Sequence, residues 1–178
     1  YKAQREETPE AIRLSVPIIK EIIRAYRIPI LEVAGYEADD VIGTLATEAG
    51  RQGIITYMMT PDKDYGQLVS DKVFMYRPKH TGGFEVMGVD EVKAKFDIQS
   101  PAQVIDMLGL MGDSSDNIPG CPGVGEKTAQ KLIAEFGSIE NLLEHTDQLK
   151  GALKTKVETN REMITFCLLY RSDAADEE

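Results

Sequence analysis

The chain has 178 residues, of which 42% are hydrophobic and 28% are charged. This length and composition suit a globular protein with a core and exclude a largely disordered chain. No apolar run approaches the roughly 18 residues that a membrane-spanning helix needs, so we expect no membrane partner. Cys121 and Cys167 lie far apart without a CxxC pattern, which favours reduced thiols in a cytoplasmic protein over zinc or a disulfide framework.

The formal net charge of −10 argues at first against a nucleic-acid partner. Seven of the 30 acidic residues, however, lie in three short clusters, and without them 23 acids stand against 20 lysines and arginines. Basic residues gather elsewhere, above all after residue 126. Charge is therefore segregated along the chain, and this segregation bears more on partners than the sum does.

The first predicted helix follows Thr8 and Pro9, which are typical of a helix start. Its apolar residues recur at spacings of three and four, which predicts a stripe that packs against a core. The stripe consists of Ile12, Val16, Ile19, Ile23 and Tyr26.

Strand and helix patterns alternate over the next 80 residues. The predicted elements are a strand at 30–33, a helix at 37–49, strands at 54–59 and 73–76, a short helix at 62–69, a strand at 84–87 and helices at 90–96 and 102–110. Gly82 and Gly83 predict a hairpin before the last strand. The alternation predicts an α/β fold with a mostly parallel central sheet and flanking helices, and from about residue 111 the chain turns all-helical.

The three acidic clusters stand where predicted strands end or helices begin. They comprise Glu37, Asp39 and Asp40, then Asp62 and Asp64, and finally Asp113 and Asp116. Hard divalent cations such as Mg²⁺ prefer oxygen ligands, and two such ions can serve both the attacking and the leaving oxygen in phosphodiester hydrolysis. The clusters therefore indicate a metal site at the carboxyl edge of the sheet.

Each cluster also has a plain structural interpretation. Acids favour the first turn of a helix, and Asp in a turn often caps the backbone that follows it. Any one cluster is weak evidence for metal, but three acids within four residues repel one another unless a cation offsets the repulsion. Three clusters at element ends make the metal interpretation the stronger one.

A glycine-rich stretch follows the last acidic cluster. It lacks the G-x-x-x-x-G-K-[ST] spacing of a nucleotide-binding loop, since Glu126 follows Gly125, and no apolar strand precedes it. A helix–hairpin–helix fits better, with N–H groups and two lysines gripping a DNA phosphate without reading sequence. Its predicted DNA-binding residues are Gly120, Gly123, Val124, Gly125, Lys127, Thr128 and Lys131.

These motifs resemble the 5′→3′ nuclease domains of bacterial DNA polymerases I, in the flap endonuclease family. The resemblance lies in GYEADDVIGTLA (35–46), TPDKDYGQLV (60–69) and LMGDSSDNIPGCPGVGEKTA (110–129), and it covers about residues 1–165. It implies a PIN-like flap endonuclease fold with a helix–three-turn–helix DNA clamp. It also implies that the seven acids bind two Mg²⁺ or Mn²⁺ ions, and that the hairpin can hold K⁺.

The resemblance further assigns the first residues to the family's helical arch. Lys2 and Arg5 would orient the substrate phosphate as catalytic residues, and Tyr1, Lys2 and Arg5 would contact the 5′ end of the DNA. The implied domains are a nuclease core at 1–110, with 1–8 a remnant of the arch, and a clamp at 111–165. Residues 166–178 do not continue the pattern and are read as a tail without a function, either unrelated or non-native.

The resemblance has two departures. The family has two more metal-binding Asp residues on N-terminal strands, and this chain begins after both, so we expect a truncated core. The polymerase domain that would share the full-length chain is also absent.

The predicted function is structure-specific hydrolysis of DNA phosphodiesters near a 5′ end, flap or nick, in primer removal and repair. We expect a monomer associated with the bacterial nucleoid. One alternative is a DNA-binding fragment without catalysis, because two ligands are missing. Another is a protein that binds metal for structure or signalling, although no EF-hand spacing occurs.

Overall fold

The computed structural model describes residues 8–79, 81–114 and 117–172. Its helices and strands in chain order are α1 (Glu10–Ala25), α2 (Ala38–Arg51), β1 (Thr56–Met59), β2 (Val73–Pro78), β3 (Phe84–Met87), α3 (Val89–Phe96), α4 (Val104–Met111), α5 (Glu126–Phe136), α6 (Ile139–Glu144), α7 (Gly151–Thr159) and α8 (Arg161–Ser172). Short 3-10 helices at Lys63–Leu68, Pro101–Gln103 and Thr146–Gln148 connect some of them. None of the described helices is long and apolar enough to cross a membrane.

The described strands form one small mixed sheet in the order β1-β2-β3. β1 and β2 are parallel, with Thr56 opposite Val73, whereas β2 and β3 are antiparallel. The hairpin predicted at Gly82–Gly83 is confirmed: the N–H of Lys79 donates to the carbonyl of Gly83 at 3.0 Å. The α/β class is correct, and in the described part of the sheet one pair is parallel and the other antiparallel.

Helix α4 lies at the centre of the core. Its residues Val104, Met107, Leu108 and Leu110 are at most 1% exposed, and the helix packs against α5 and α8. At Gly109 an added Cβ would lie 2.9 Å from the Ile139 side chain, so α6 also approaches closely. Each fully buried aliphatic side chain of this kind contributes about 1.5 to 3 kcal/mol, so α4 is a main contributor to the stability of the described chain.

Two predictions for the first 35 residues are wrong. Residues 30–33 form no strand, because no described strand pairs with them. The α1 stripe is largely exposed, with Ile12 at 54% and Tyr26 at 76%, and α1 has no buried residue. Helical periodicity defines an apolar face but not what covers it, and no other described element packs extensively on this face.

Candidate active site and nucleic-acid interface

The first acidic cluster opens helix α2. Glu37 is the residue before the helix, and its N–H donates to Asp40 Oδ2 at 2.8 Å. Asp40 therefore closes the helix N-terminus, a structural role for one of the predicted metal ligands. Asp39 lies on the exposed side of the first turn, and its Oδ1 accepts a hydrogen bond from the Tyr65 hydroxyl at 2.9 Å.

The second cluster follows β1 and starts the 3-10 helix Lys63–Leu68. Asp62 Oδ1 accepts the N–H of Asp64 at 3.0 Å, which is the capping role that the sequence left open. Asp64 itself is half-buried, and Lys63 Nζ lies 3.5 Å from its Oδ1. The two acids thus differ, since Asp62 holds the turn while Asp64 points toward a cation.

The third cluster lies in the loop after α4. Asp113 and Ile118 exchange two backbone hydrogen bonds of 2.8 Å, which close this loop. The Asp113 side chain is only 6% exposed, and its Oδ2 accepts a hydrogen bond from Lys63 Nζ. Asp116, the other predicted ligand here, lies outside the described residues, as do Tyr1, Lys2 and Arg5.

Lys63 and Tyr65 connect the three clusters. Burial lowers the pKa of Lys63, but the hydrogen bond to Asp113 and the attraction of Asp64, Asp113 and Asp62 outweigh it, so this pKa lies above its ordinary value. Burial, the bond to Asp39 and repulsion by Asp39, Asp62 and Asp40 raise the pKa of the Tyr65 hydroxyl, which therefore stays a hydrogen-bond donor. The carboxylates that act on these two groups come from all three clusters.

The clusters meet without forming a complete metal site among the described residues. Within residues 8–79, 81–114 and 117–172, no three His, Cys, Asp or Glu side chains lie close enough together to hold one ion. The donor chemistry fits a hard divalent cation, because every predicted ligand is a carboxylate. The Lys63 ammonium already lies against the carboxylates of Asp64 and Asp113 and provides a positive charge there.

The glycine-rich hairpin is built onto the loop that carries Asp113. Gly120 has a φ of +62°, and a Cβ there would lie 2.3 Å from the Gly112 nitrogen. The Cys121 N–H donates to the Leu110 carbonyl at 2.8 Å, so the hairpin is fastened to the end of α4. The acidic loop and the hairpin are therefore parts of one closely packed connection.

The hairpin ends at helix α5, as predicted. Gly125 precedes the helix and is extended rather than left-handed, while Gly123 has a φ of +75°. Val124 is 4% exposed and anchors the turn, so its side chain faces the core. Lys127 and Lys131 are exposed, and Thr128 is half-buried.

Helix α7 contributes a further lysine to the hairpin. Lys156 Nζ donates to the Gly123 carbonyl at 3.2 Å. The hairpin therefore presents exposed positive charge around a turn and a helix N-terminus, an arrangement suited to binding phosphate.

Cys121 and Cys167 are buried free thiols, as the sequence indicated, and burial raises the pKa of Cys121.

Two family models match the chain in succession. The N-terminal resolvase-like domain of 5′-3′ exonucleases matches residues 1–97, and their C-terminal SAM-fold domain matches residues 99–169. The chain belongs to the 5′-3′ exonuclease family. Curated relatives include the DNA polymerase I of Bacillus subtilis, 47% identical over 160 residues, and a 5′-3′ exonuclease of Aquifex aeolicus, 41% identical over 150 residues.

These relatives are longer than the chain. The matches cover 89% of the chain but 18% of the Bacillus polymerase, and 84% of the chain but 50% of the Aquifex exonuclease. A solved flap endonuclease of bacteriophage T5, in a pseudo-enzyme-product complex with DNA and metal ions, has the same fold. Its TM-score is 0.77 at 23% identity, over 97% of this chain and 66% of that one.

Sequence reasoning missed Lys63 and Tyr65 as members of the site of this exonuclease-family chain. Both lie within the quoted TPDKDYGQLV motif, next to the acids that were selected. The only signal was position, a cation between two carboxylates followed by an aromatic hydroxyl. Their partners are 50 and 26 residues away, so the contacts themselves could not be read from local spacing.

Proposed function

We propose that this chain is the nuclease part of a metal-dependent 5′-3′ exonuclease and flap endonuclease that hydrolyses DNA phosphodiesters. One observation carries the proposal. The loop that brings Asp113 to the other acidic clusters continues directly into the hairpin that presents Lys127 and the α5 N-terminus. A metal-binding surface and a phosphate-binding surface are thereby held side by side.

The proposed metal ligands are the carboxylates named from the sequence. They are Glu37, Asp39, Asp40, Asp62, Asp64, Asp113 and Asp116, which would hold two Mg²⁺ or Mn²⁺ ions. Such ions lower the pKa of an attacking water and offset charge on the phosphoryl oxygens. Tyr65 orients Asp39 through its hydroxyl, and the closed 113–118 loop fixes Asp113, so this chain contributes a preorganised part of the ligand set.

The proposed DNA clamp comprises the hairpin and the start of α5. Gly120 and Gly123 allow the close turn, Val124 anchors it, and Gly125 precedes the helix, whose first residues Glu126 and Lys127 are exposed. Lys127, Thr128 and Lys131 add charge and a hydroxyl. Contacts of this type bind the sugar-phosphate backbone and fix register without reading bases.

Several finer assignments belong to the same proposal. Tyr1, Lys2 and Arg5 would contact the 5′ end of the substrate, and hairpin carbonyls would take K⁺. Residues 1–110 would be the core and 111–165 the clamp. DNA with a 5′ flap, nick or 5′ end is the proposed substrate. The working form would be a monomer in the bacterial cytoplasm, at the nucleoid, joined to a polymerase domain.

A 5′-labelled flap duplex tests this function. We expect the chain to bind it in EDTA and to release short 5′ products after Mg²⁺ is added. Asp113→Asn should bind but release none, because a ligand and the charge that attracts the ion are lost. Lys79→Ala, at an exposed lysine outside the acidic clusters and the glycine-rich hairpin, is the control and should behave like the parent.

Two results would contradict the proposal. Tight flap binding by the parent without any Mg²⁺-dependent product would favour a DNA-binding fragment without catalysis. Mg²⁺ binding without salt-sensitive DNA binding would favour a protein that uses metal for structure or signalling.

A further inference from the structure

Lys63 is the one cation of the described chain that contacts the predicted metal ligands. Its Nζ donates to Asp113 Oδ2 and lies 3.5 Å from Asp64 Oδ1, so it bridges carboxylates from two separate clusters. The Lys63 side chain is 35% exposed, whereas the Asp113 side chain is 6% exposed. The lysine is thus partly exposed, while the Asp113 carboxylate that it pairs with is buried.

The position of Lys63 bears on the energetics of the site. A buried carboxylate such as that of Asp113 is costly without a nearby positive charge. In the metal-free chain the ammonium supplies that charge, and Asp62 also attracts it. A divalent ion coordinated by Asp64 and Asp113 would lie between these two carboxylates, where the Lys63 ammonium lies now. The ion and the ammonium would then repel each other strongly, because both would be within contact distance of the same carboxylates.

We propose that Lys63 is a tethered counter-ion that occupies the divalent metal position between Asp64 and Asp113 and must withdraw when the metal binds. This inference rests on the metal site proposed above. Lys63 holds the acidic loops together in the metal-free chain and lowers the affinity for the ion, because metal binding has to break its ion pairs. It is a positioning residue, since it acts on the ligands and not on the reacting atoms.

The withdrawal has room to occur. The lysine side chain has four methylene groups joined by rotatable bonds, and about a third of the side chain is already exposed. A change of rotamer can therefore move the ammonium into solvent while the 3-10 turn stays in place. That turn is capped independently by the Asp62 side chain and packs through the buried Tyr65. Removing the Lys63 charge should therefore leave the backbone of the site intact.

Mn²⁺ binding, measured by titration calorimetry and electron paramagnetic resonance on the 178-residue chain, tests the proposal. We expect Lys63→Met to bind Mn²⁺ at least about fivefold more tightly than the parent, since no ion pair has to be broken. Lys63→Arg keeps a positive charge and should bind as weakly as the parent. Lys79→Met changes the net charge equally, but Lys79 forms none of the ion pairs described for Asp64 and Asp113, and this variant should also match the parent.

Thermal unfolding separates this role from a purely structural one. In EDTA, Lys63→Met should unfold at a lower temperature than the parent, because Asp113 loses a positive neighbour. Saturating Mn²⁺ should raise the unfolding temperature of Lys63→Met by more than it raises that of the parent, so that the two proteins then unfold at similar temperatures. A structural lysine would give the same deficit with and without the ion.

Each other outcome overturns a defined claim. If the parent binds Mn²⁺ and Lys63→Met binds it equally or more weakly, Lys63 does not compete with the metal. If neither protein binds Mn²⁺ at millimolar concentration, the metal site itself is wrong, and this inference falls with it.

Discussion

At the scale of single residues, Asp106 is a charged group buried for a structural purpose. It lies on α4 with 8% exposure, and its Oδ1 accepts the N–H of Ile139 at 2.8 Å, at the start of α6. Burial raises its pKa to about 6 although this hydrogen bond lowers it. The carboxylate therefore joins α4 to α6. Its burial makes the ionised form energetically unfavourable, because a buried negative charge loses its hydration.

The raised pKa of Asp106 predicts how stability changes with pH. The folded state binds the proton more tightly than the unfolded state, so this group's contribution to the free energy of unfolding falls as pH rises from about 4 to about 6. Asp106→Asn keeps an acceptor for the Ile139 N–H and removes the charge. We expect it to be more stable than the parent at pH 8, by about 1 to 3 kcal/mol, and to lose that advantage near pH 4.

Urea unfolding of both proteins from pH 4 to pH 8 measures this difference, and subtracting the two curves cancels the other titrating groups. A variant that is less stable than the parent at pH 8 would show that the negative charge at the α6 N-terminus outweighs its desolvation.

Lys63 and Tyr65 are site residues that could not be predicted from the sequence. Asp39, Asp64 and Asp113 could be predicted, because carboxylates at the ends of strands and helices are suited to binding metal. The sequence could not show that Tyr65 donates to Asp39, or that Lys63 reaches Asp113, because those partners become neighbours only when α2, the 3-10 turn and the loop after α4 have packed. The residue types that can bind metal are visible in short stretches of sequence. The groups that orient those residues become their neighbours only in the folded chain.

At the scale of elements, the connection between α4 and α5 depends on the backbone of Gly120. Two costs apply to a side chain there. A φ of +62° costs about 1 to 2 kcal/mol for a residue with a Cβ, and the Cβ would also meet the Gly112 backbone at 2.3 Å. Backbone atoms on both sides cannot move aside as the end of a flexible side chain could.

Gly120→Ala should therefore destabilise the chain by more than about 3 kcal/mol, since the steric overlap adds to the φ cost. Gly151→Ala is a matched control, because Gly151 has a φ of +58° but nothing within 4 Å of the added Cβ. It should lose only about 1 to 2 kcal/mol. Chemical denaturation measures both, and equal losses would show that the packing of the hairpin against Gly112 contributes little.

The exposed lysines of the hairpin element predict a salt-dependent DNA affinity. Lys127→Ala and Lys131→Ala should each weaken duplex binding to a similar degree for different base sequences, and flatten the slope of log affinity against log salt by up to about one unit. Fluorescence anisotropy in EDTA on two unrelated duplexes measures this, with Lys79→Ala as the control. A loss confined to one of the duplexes would mean base recognition and would contradict a backbone clamp.

At the scale of the whole molecule, local signals predicted most elements after residue 36. The helix that became α5 carries its own start at Gly125, a stripe of buried residues and a stop at Gly137, whose φ is +82°. Residues 30–33 lack such independence, since a strand forms only against a partner strand. The same limit applies to α1, whose periodicity is correct although its stripe stays largely uncovered.

Other elements than α1 also carry exposed apolar side chains. Ile42 and Leu45 of α2 are 38% and 49% exposed, and Tyr57 and Met59 of β1 are 57% and 74% exposed. Exposed apolar side chains in such numbers favour association with something apolar. The chain of 178 residues, studied by itself, should therefore bind a hydrophobic dye and self-associate as its concentration rises.

Charged substitutions on the α1 stripe test this expectation. Ile12→Glu combined with Ile19→Glu should reduce dye fluorescence and self-association measured by analytical ultracentrifugation. The free energy of unfolding should change by less than about 1 kcal/mol, since surface substitutions rarely cost more and these two side chains are 54% and 48% exposed. Gln99→Glu with Gln148→Glu adds the same charge at exposed polar positions and should alter neither property. A large loss of stability in the α1 variant alone would show that its stripe is buried in solution, against something that the described residues do not contain.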